Sequence, residues 1–475
     1  MEIEFLAHEF RSDEKFHLTN YKYHGDELNG WKIYREGELF ESIGKGYVCL
    51  KTIYCGICST DISRANLPFK LPQITGHEVV ASFEGRNYVV EINASHLARG
   101  LTEDVCRYCK QGIDQHCSDR LTLGIDRLPG GFAPYVLAPR YSLIPIPSNI
   151  SLLEASVVEP FAAAYHAVLK SINKDTQSVA VVGPRRLGAL LLLALNMYRQ
   201  NNGLVYSITA VVRNKNLEQL CLSAGADEVV DSARIENKKY DLVFDTSGSE
   251  SGFISALEIT KKIVHVKSTS GKSVVGLVHL SEMVIDELSL LPLTDESQES
   301  LSPLIEKNAI NDVLLDDSLP AELIQNLKAR YAKINFVMMD LSELYDLSEL
   351  YNDASQLGEM KFDLAIVASL NHLNNVFSKT GESLLHPESI LMLYKAKTEI
   401  IENLLDKALF QNNIQIHTSR CGSFKKALAL MSDQQSLIKA FCERFISQVG
   451  EMRDLKEIFE EVKKNRDLIK VVMRH

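Results

Sequence analysis

The chain has 475 residues, 45% hydrophobic and 24% charged, the proportions of an ordinary globular protein with room for two or three cores. Its formal net charge of -11, without a long run of Lys and Arg, argues against nucleic acid or an anionic membrane as the main partner. The first ten residues, MEIEFLAHEF, lack the basic start and apolar stretch of an export signal, and the apolar run 187–197 is too short to span a bilayer.

Up to about residue 150, short β-rich runs are broken by Gly, Pro and Asn, as at 47–53, 79–83, 88–92 and 135–137. They predict a twisted, barrel-like β domain. The rhythm changes near residue 155, with an apolar helix over 155–172, then a strand at 178–182 and a helix at 187–198. A strand at 206–212, a helix at 217–224 closed by Gly225, and strands at 241–245 and 263–266 follow. Such alternation predicts a doubly wound parallel sheet. The polar stretch 294–302 (TDESQESLS) reads as a surface linker, followed by a helix at 321–331 and strands at 335–339, 362–367 and 390–394. The segment KFDLAIVAS (361–369) echoes KYDLVFDTS (239–247). That is either a partial internal duplication or the common look of two buried parallel strands, and the second, plainer reading is preferred. Residues 413–475 return to a strand, helices and a terminal strand at 468–473.

Nine cysteines, an odd number in a large chain, do not look like a secreted disulfide framework. Three of them, Cys106, Cys109 and Cys117, have the spacing of metal ligands in a reducing compartment, so a cytoplasmic location is expected. Three other motifs can converge on one metal: Cys58 in GICSTD, His77 and Glu78 in GHE, and Glu159 in EPF. Zinc accepts a thiolate, an imidazole and a carboxylate, and three protein ligands leave a position open for substrate. Asp61 is a candidate to orient the His77 imidazole, and the Thr60 hydroxyl to pass a substrate proton onward. Singly each motif is weak, since a lone Cys or a His-Glu pair is usually structural and Glu-Pro usually just starts a helix.

In their order along the chain these motifs resemble the zinc-dependent medium-chain alcohol dehydrogenase superfamily, in particular its sorbitol and threonine dehydrogenase branch. The matching stretches are GICSTD (56–61), TGHEV (75–79), CRYCKQGIDQHC (106–117), GGFAPYV (130–136), VVEPFAAAYHAV (157–168), VAVVGPRRLG (179–188), AGADEVVD (224–231) and TSRCGSFKKAL (418–428). The resemblance implies an α/β fold: a GroES-like β-rich catalytic domain, a doubly wound Rossmann domain, and an inserted α/β lobe. It implies a catalytic zinc on Cys58, His77 and Glu159, with Glu78 a ligand or exchanging with one. Zinc then polarises a small alcohol, polyol or carbonyl substrate, and hydride passes to or from a nicotinamide. The family's structural zinc uses four cysteines, but here Glu103 stands at the first position, before Cys106, Cys109 and Cys117. Either Glu103 or Asp104 completes that site, or the lobe is metal-free.

The cofactor turn departs from G-x-G-x-x-G. Gly183 is followed by Pro184, Arg185, Arg186, Leu187 and Gly188, so Arg185 occupies the middle glycine's place. Arg185 either obstructs the pyrophosphate or turns outward to pair with phosphate. At the end of the second strand, where an acidic residue would hold the ribose hydroxyls of NAD, stand Val212, Arg213, Asn214 and Lys215. The missing acid, with Arg213 and Lys215 nearby, favours NADP over NAD.

The expected domains are a catalytic domain at 1–175, completed by about 440–475, and a Rossmann domain at 176–292, continued by about 413–440. The insertion at 293–412 lacks a Gly-rich phosphate loop, and its His372 and His386 read as scattered surface residues. Substrate is expected in the cleft between the two domains, and a homo-oligomer, dimer or tetramer, is the expected assembly. The rival readings are a zinc-free carbonyl or quinone reductase of the same fold, and a catalytically retired nucleotide-binding sensor or scaffold.

Overall fold

Alternating burial near the N-terminus, with Thr19, Tyr21 and Tyr23 inward on one strand, suits the antiparallel pairing found there. The computed structural model describes residues 1–67, 69–235, 239–269, 271–295, 297, 301–342, 361–379, 381–401 and 403–475. One unit comprises Met1–Tyr165, Arg185–Met197 and Cys421–His475, and a second comprises His166–Pro184 and Tyr198–Arg420. Among the described residues no helix is long and apolar enough to cross a membrane.

The first unit opens with β1 (Glu2–Phe10), β2 (Phe16–Asp26), β3 (Gly30–Arg35) and β4 (Glu38–Ile43). The long β5 (Tyr47–Ile57), β6 (Gln73–Ile74), β7 (Glu78–Phe83) and β8 (Arg86–Val90) come next. They are followed by β9 (Asn93–Ala94), β10 (Leu121–Leu123), β11 (Arg127–Leu128), β12 (Tyr135–Pro139) and β13 (Leu143–Pro145). One sheet runs β4-β3-β2-β1-β6 and a small one β11-β10-β9. The β-runs expected from the sequence coincide with or overlap β5, β7, β8 and β12. The helix expected over 155–172 is two helices, Leu152–Ala155 and Val158–Ser171. The reason is local: Ser151 and Glu154 form a reciprocal capping box that starts the first helix early.

The second unit is built on β14 (Ser178–Val182), β15 (Ser207–Val212), β16 (Glu228–Asp231), β17 (Tyr240–Asp245) and β18 (Thr260–Val266). It continues with β19 (Ser289–Leu293), β20 (Asp312–Asp316), β21 (Asn335–Met339), β22 (Phe362–Val367), β23 (Leu385–Tyr394) and β24 (Gln415–Thr418). All lie in one 11-stranded sheet, β16-β15-β14-β17-β18-β24-β19-β23-β22-β20-β21. The insertion's strands therefore extend the Rossmann sheet instead of forming a sheet of their own. Near-continuous apolar strands such as Val179–Val182 are what a parallel sheet covered on both faces requires. Within the polar stretch 294–302, residues 296 and 298–300 lie outside the described residues, and the helix Leu301–Lys307 begins at its end.

The chain closes with β25 (Ile446–Glu451) and β26 (Lys470–Arg474), which return to the first unit. They complete the sheet β13-β8-β7-β5-β26-β25, with β12 also paired to β5. β5 is thus flanked by β7 on one side and by β12 and β26 on the other, the arrangement that builds the site.

Candidate active site and metal centres

At the end of β5 the chain turns sharply at Cys58, which caps the short helix Ser59–Ile62. Asp61 faces back into this turn, its Oδ2 accepting from the Cys58 amide at 2.8 Å and its Oδ1 from the Gly76 amide at 3.1 Å. Those two bonds fix the Cys58 turn and the loop before β7 on one carboxylate. His77 and Glu78 follow Gly76, and ligand atoms of Cys58, His77 and Glu78 all lie within 4.8 Å of one another. Asp61 Oδ1 is 3.8 Å from His77 Nδ1, too long for a hydrogen bond but close enough to act through charge. Burial alone would lower the His77 pKa, but Asp61, Cys58 and Glu159 surround the imidazole and hold it well above its usual range. The Cys58 thiol reaches the Thr60 hydroxyl at 3.6 Å. Glu159, in the first turn of Val158–Ser171, acts on His77 through charge but stands outside the 4.8 Å group.

A metal fits this pocket. His77 Nδ1 and Glu78 Oε1 are buried with no hydrogen-bond partner, and the donors around them are a thiol and carboxylates.

Sequence reasoning missed Lys470, which is 3% exposed. From β26 it forms an ion pair with Glu78 Oε2 and donates to the Ile57 carbonyl at 3.2 Å. Register explains the meeting: Glu78 pairs with Gly56 on one side of β5, and Val471 pairs with Ile57 on the other. Gly56 lies between them, and a Cβ there would collide with Glu78 Oε2. The glycine opening GICSTD is thus a passage for an ion pair, a signal visible only once three strands are aligned.

The cysteine lobe also corrects the sequence reading. Ligand atoms of His96, Cys106, Cys109 and Cys117 gather within 4.8 Å of one another. Glu103 and Asp104 are exposed and do not join them. His96 Nδ1 is 3.4 Å from Cys117 Sγ and 3.8 Å from Cys109 Sγ, and its Nε2 is 3.5 Å from Asp119 Oδ2. A histidine seven residues upstream of Glu103 carried no motif signal, because its approach depends on the loop folding back after β9.

Residues 44–148 match the alcohol dehydrogenase GroES-like domain family. The chain is 28% identical over 243 residues to sorbitol dehydrogenase of Halalkalibacterium halodurans, covering 46% of this chain and 67% of that protein. It is 27% identical over 232 residues to L-threonine 3-dehydrogenase of Pectobacterium atrosepticum, covering 46% of this chain and 60% of that protein. Among solved structures, L-idonate 5-dehydrogenase from Escherichia coli shares the fold, with TM-score 0.56 at 14% identity over 100% of this chain and 99% of that one. Residues 44–148 thus carry the alcohol dehydrogenase GroES-like domain, and the relatives support the zinc-dependent medium-chain alcohol dehydrogenase superfamily.

Likeness to named dehydrogenases supports an NAD(P)-dependent oxidoreductase, and the fold combines GroES-like and Rossmann parts. This dehydrogenase carries an altered cofactor turn. Gly183 adopts φ +75°, and a Cβ on it would sit 2.8 Å from Ser247 Cα, so only glycine fits there. Arg185 takes neither role considered from the sequence: its guanidinium donates to the carbonyls of Arg466, at 2.8 Å, and Leu468, at 3.1 Å. Arg186 donates to Ile469 O at 2.9 Å and to Ser59 Oγ at 3.2 Å. Both arginines are therefore committed to the chain segment that leads into β26. Leu187 opens the helix Leu187–Asn201, in which Gly188 is buried. At the end of β15, Arg213 and Lys215 are exposed, and Arg213 donates to the hydroxyls of Ser251 at 2.5 Å and Ser249 at 3.4 Å. The two insertion histidines are not loose surface groups: His386 is buried, and His372 Nδ1 is 2.6 Å from Asp316 Oδ2.

Proposed function

We propose that the dehydrogenase moves hydride between NADP and a small alcohol, polyol or carbonyl substrate at a zinc held by Cys58 and His77 with the Glu78 or Glu159 carboxylate. The observation that carries this reading is the convergence of Cys58, His77 and Glu78 around buried, unpartnered ligand atoms. When bound, zinc supplies Lewis-acid polarisation of a substrate oxygen, and the nicotinamide supplies or accepts the hydride. Asp61 positions the Cys58 turn and keeps the imidazole in a negative field. Glu78, held by Lys470, is a carboxylate that can exchange with a ligand. The Thr60 hydroxyl, beside the Cys58 sulfur, holds the substrate's proton before release. Turnover assays over alcohols, polyols, sugars and amino alcohols with both cofactors test the reading, and silence across the panel in zinc-loaded protein would favour a sensor. Free cysteines throughout support a reducing, cytoplasmic setting.

The NADP preference rests on Arg213, exposed at the strand end where NAD-binding chains place an acid. Ser249 and Ser251 hold its guanidinium in place and offer hydroxyls beside it. Arg213→Asp is expected to lower the NADP-to-NAD ratio of kcat/KM by about 100-fold, the scale of a lost charge-assisted phosphate contact with added repulsion. An unchanged ratio would remove Arg213 from the cofactor site.

A second zinc is proposed in the cysteine lobe, with His96 as fourth ligand beside Cys106, Cys109 and Cys117, and Asp119 orienting the imidazole. His96→Ala should lose one zinc equivalent by metal analysis, together with the cobalt-thiolate absorption of the substituted protein. Glu103→Ala should keep both, and the reverse pattern would restore the carboxylate reading.

A further inference from the structure

The first half of the Rossmann sheet and the insertion share more than the look of their strands. Asp241, third in KYDLVFDTS, accepts through Oδ2 from the amides of Gln177 and Ser178, each at 3.0 Å. Asp363, third in KFDLAIVAS, accepts through Oδ2 from the amides of Asn311 at 2.9 Å and Asp312 at 3.2 Å. In each half the residue before the first strand offers its carbonyl to the head of the next: Ser207 N bonds Gln177 O, and Asn335 N bonds Asn311 O, both at 2.9 Å. The register slips at the same place, between Tyr240 and Leu242 in one and between Phe362 and Leu364 in the other. A serine then caps the following helix in both, Ser249 accepting from the Gly252 amide and Ser369, two positions earlier in the repeat, from the His372 amide. Buried parallel strands in general share hydrophobicity, not this set of bonds. This shared set of bonds favours duplication over the plainer reading of the sequence echo.

Matching the strands in this way places β14, β15, β17, β18 and β24 against β20, β21, β22, β23 and β19. Apart from the edge strand β16, which has no counterpart, the sheet order is then a palindrome, β15-β14-β17-β18-β24 followed by β19-β23-β22-β20-β21. Its neighbours pair in parallel except at the centre, where β19 meets β24 antiparallel through Leu290 and Ile416. A palindromic order about one antiparallel pair is what a two-fold axis produces between two copies of a half-sheet.

We propose that β20, β21, β22, β23 and β24 repeat β14, β15, β17, β18 and β19 in chain order, with the two last strands exchanged between the halves, and that this repeat takes the place of a second subunit, making the chain a monomer sealed at that sheet edge. An unpaired edge strand is a template for another chain. Here β24 is bonded on both sides, to β18 and to β19, so a second molecule finds no vacancy there. The proposal departs from the homo-oligomer expected from the sequence. The copy keeps the scaffold without the nucleotide site. Asp316 and Asp317 stand where the first half has Val182 and Gly183, and Glu322 lies in the first turn of the next helix. The strand end is acidic where phosphate would have to sit. The Ala368 amide, counterpart of the Thr246 amide that bonds the Val182 carbonyl at 3.0 Å, bonds the Asp316 carboxylate at 2.8 Å instead. Ser318 Oγ at 2.5 Å and His372 at 2.6 Å complete the plug. The resulting count of one nucleotide per chain rests on the cofactor reading above, whereas the mass of the particle does not.

Sedimentation of the full chain at micromolar concentration is expected to give the monomer mass of 53.2 kDa. A stable species of twice that mass overturns the proposal, whatever the catalytic activity. Asp241→Ala and Asp363→Ala should lower the thermal midpoint to similar extents, because each strands two amides at the head of a strand. Where an alanine variant fails to fold, the Asn variants, which keep one acceptor oxygen, carry the comparison. A silent Asp363 substitution beside a destabilising one at Asp241 would refute the duplication.

Discussion

Cys58→Ser is expected to lower turnover by roughly a thousandfold, the kinetic equivalent of about 4 kcal/mol of lost Lewis-acid stabilisation. A serine hydroxyl ionises far less readily than a thiol and is a poor zinc ligand, so the variant should lose one zinc equivalent with its activity. The fold should survive, because Cys58 is only half-buried and the turn is held by Asp61 through backbone amides. Metal analysis alongside steady-state assays checks this. Full activity in a zinc-depleted Cys58→Ser protein would favour the zinc-free reductase.

Lys470→Met is expected to cost about 3–5 kcal/mol of stability, the range for stripping one partner from a buried ion pair. Glu78 is 1% exposed and its second oxygen has no hydrogen-bond partner, so the loss of Lys470 leaves a buried carboxylate without its ion-pair partner. Combining it with Glu78→Gln should recover part of the loss, since the uncompensated charge is then gone. Thermal and denaturant unfolding of the two single variants and the double variant measure the coupling. A Lys470→Met protein as stable as the parent would mean that the pair has no role in holding Glu78. Lys470 is a positioning residue, and zinc affinity measured by competition with a chelator should shift in the variant even where the fold is retained.

Much of the site was legible because its chemistry is concentrated in short, rigid motifs. GICSTD and GHEV each place a ligand within a few residues of a strand end, and the structure brings Cys58, His77 and Glu78 together. Glu159 was legible as a carboxylate near His77, while its distance from the group was not. The residues that escaped reading share one trait: each meets its partner across a large gap in sequence. Lys470 reaches Glu78 across 392 positions, and Arg185 reaches the carbonyls near Arg466 across 281. His96 is nearer in sequence, but it displaces Glu103 only because Glu103 turns to solvent. Strand register and loop direction decide such meetings, and neither is local.

By itself, the sequence determined the element types and their order, from β-rich runs to strand–helix alternation, since hydrophobic period and turn residues act over a few neighbours. It also determined the ligand types available to a metal and the lack of a phosphate loop in the insertion. Tertiary structure alone decided which half-sheet the insertion joins, that its strands repeat the first half about the β24–β19 pair, and which charges are neutralised within the chain. Hydrogen-bond pairing between strands depends on edges and register set by the whole sheet, so the same apolar segment can close one sheet or build another until its neighbours are in place.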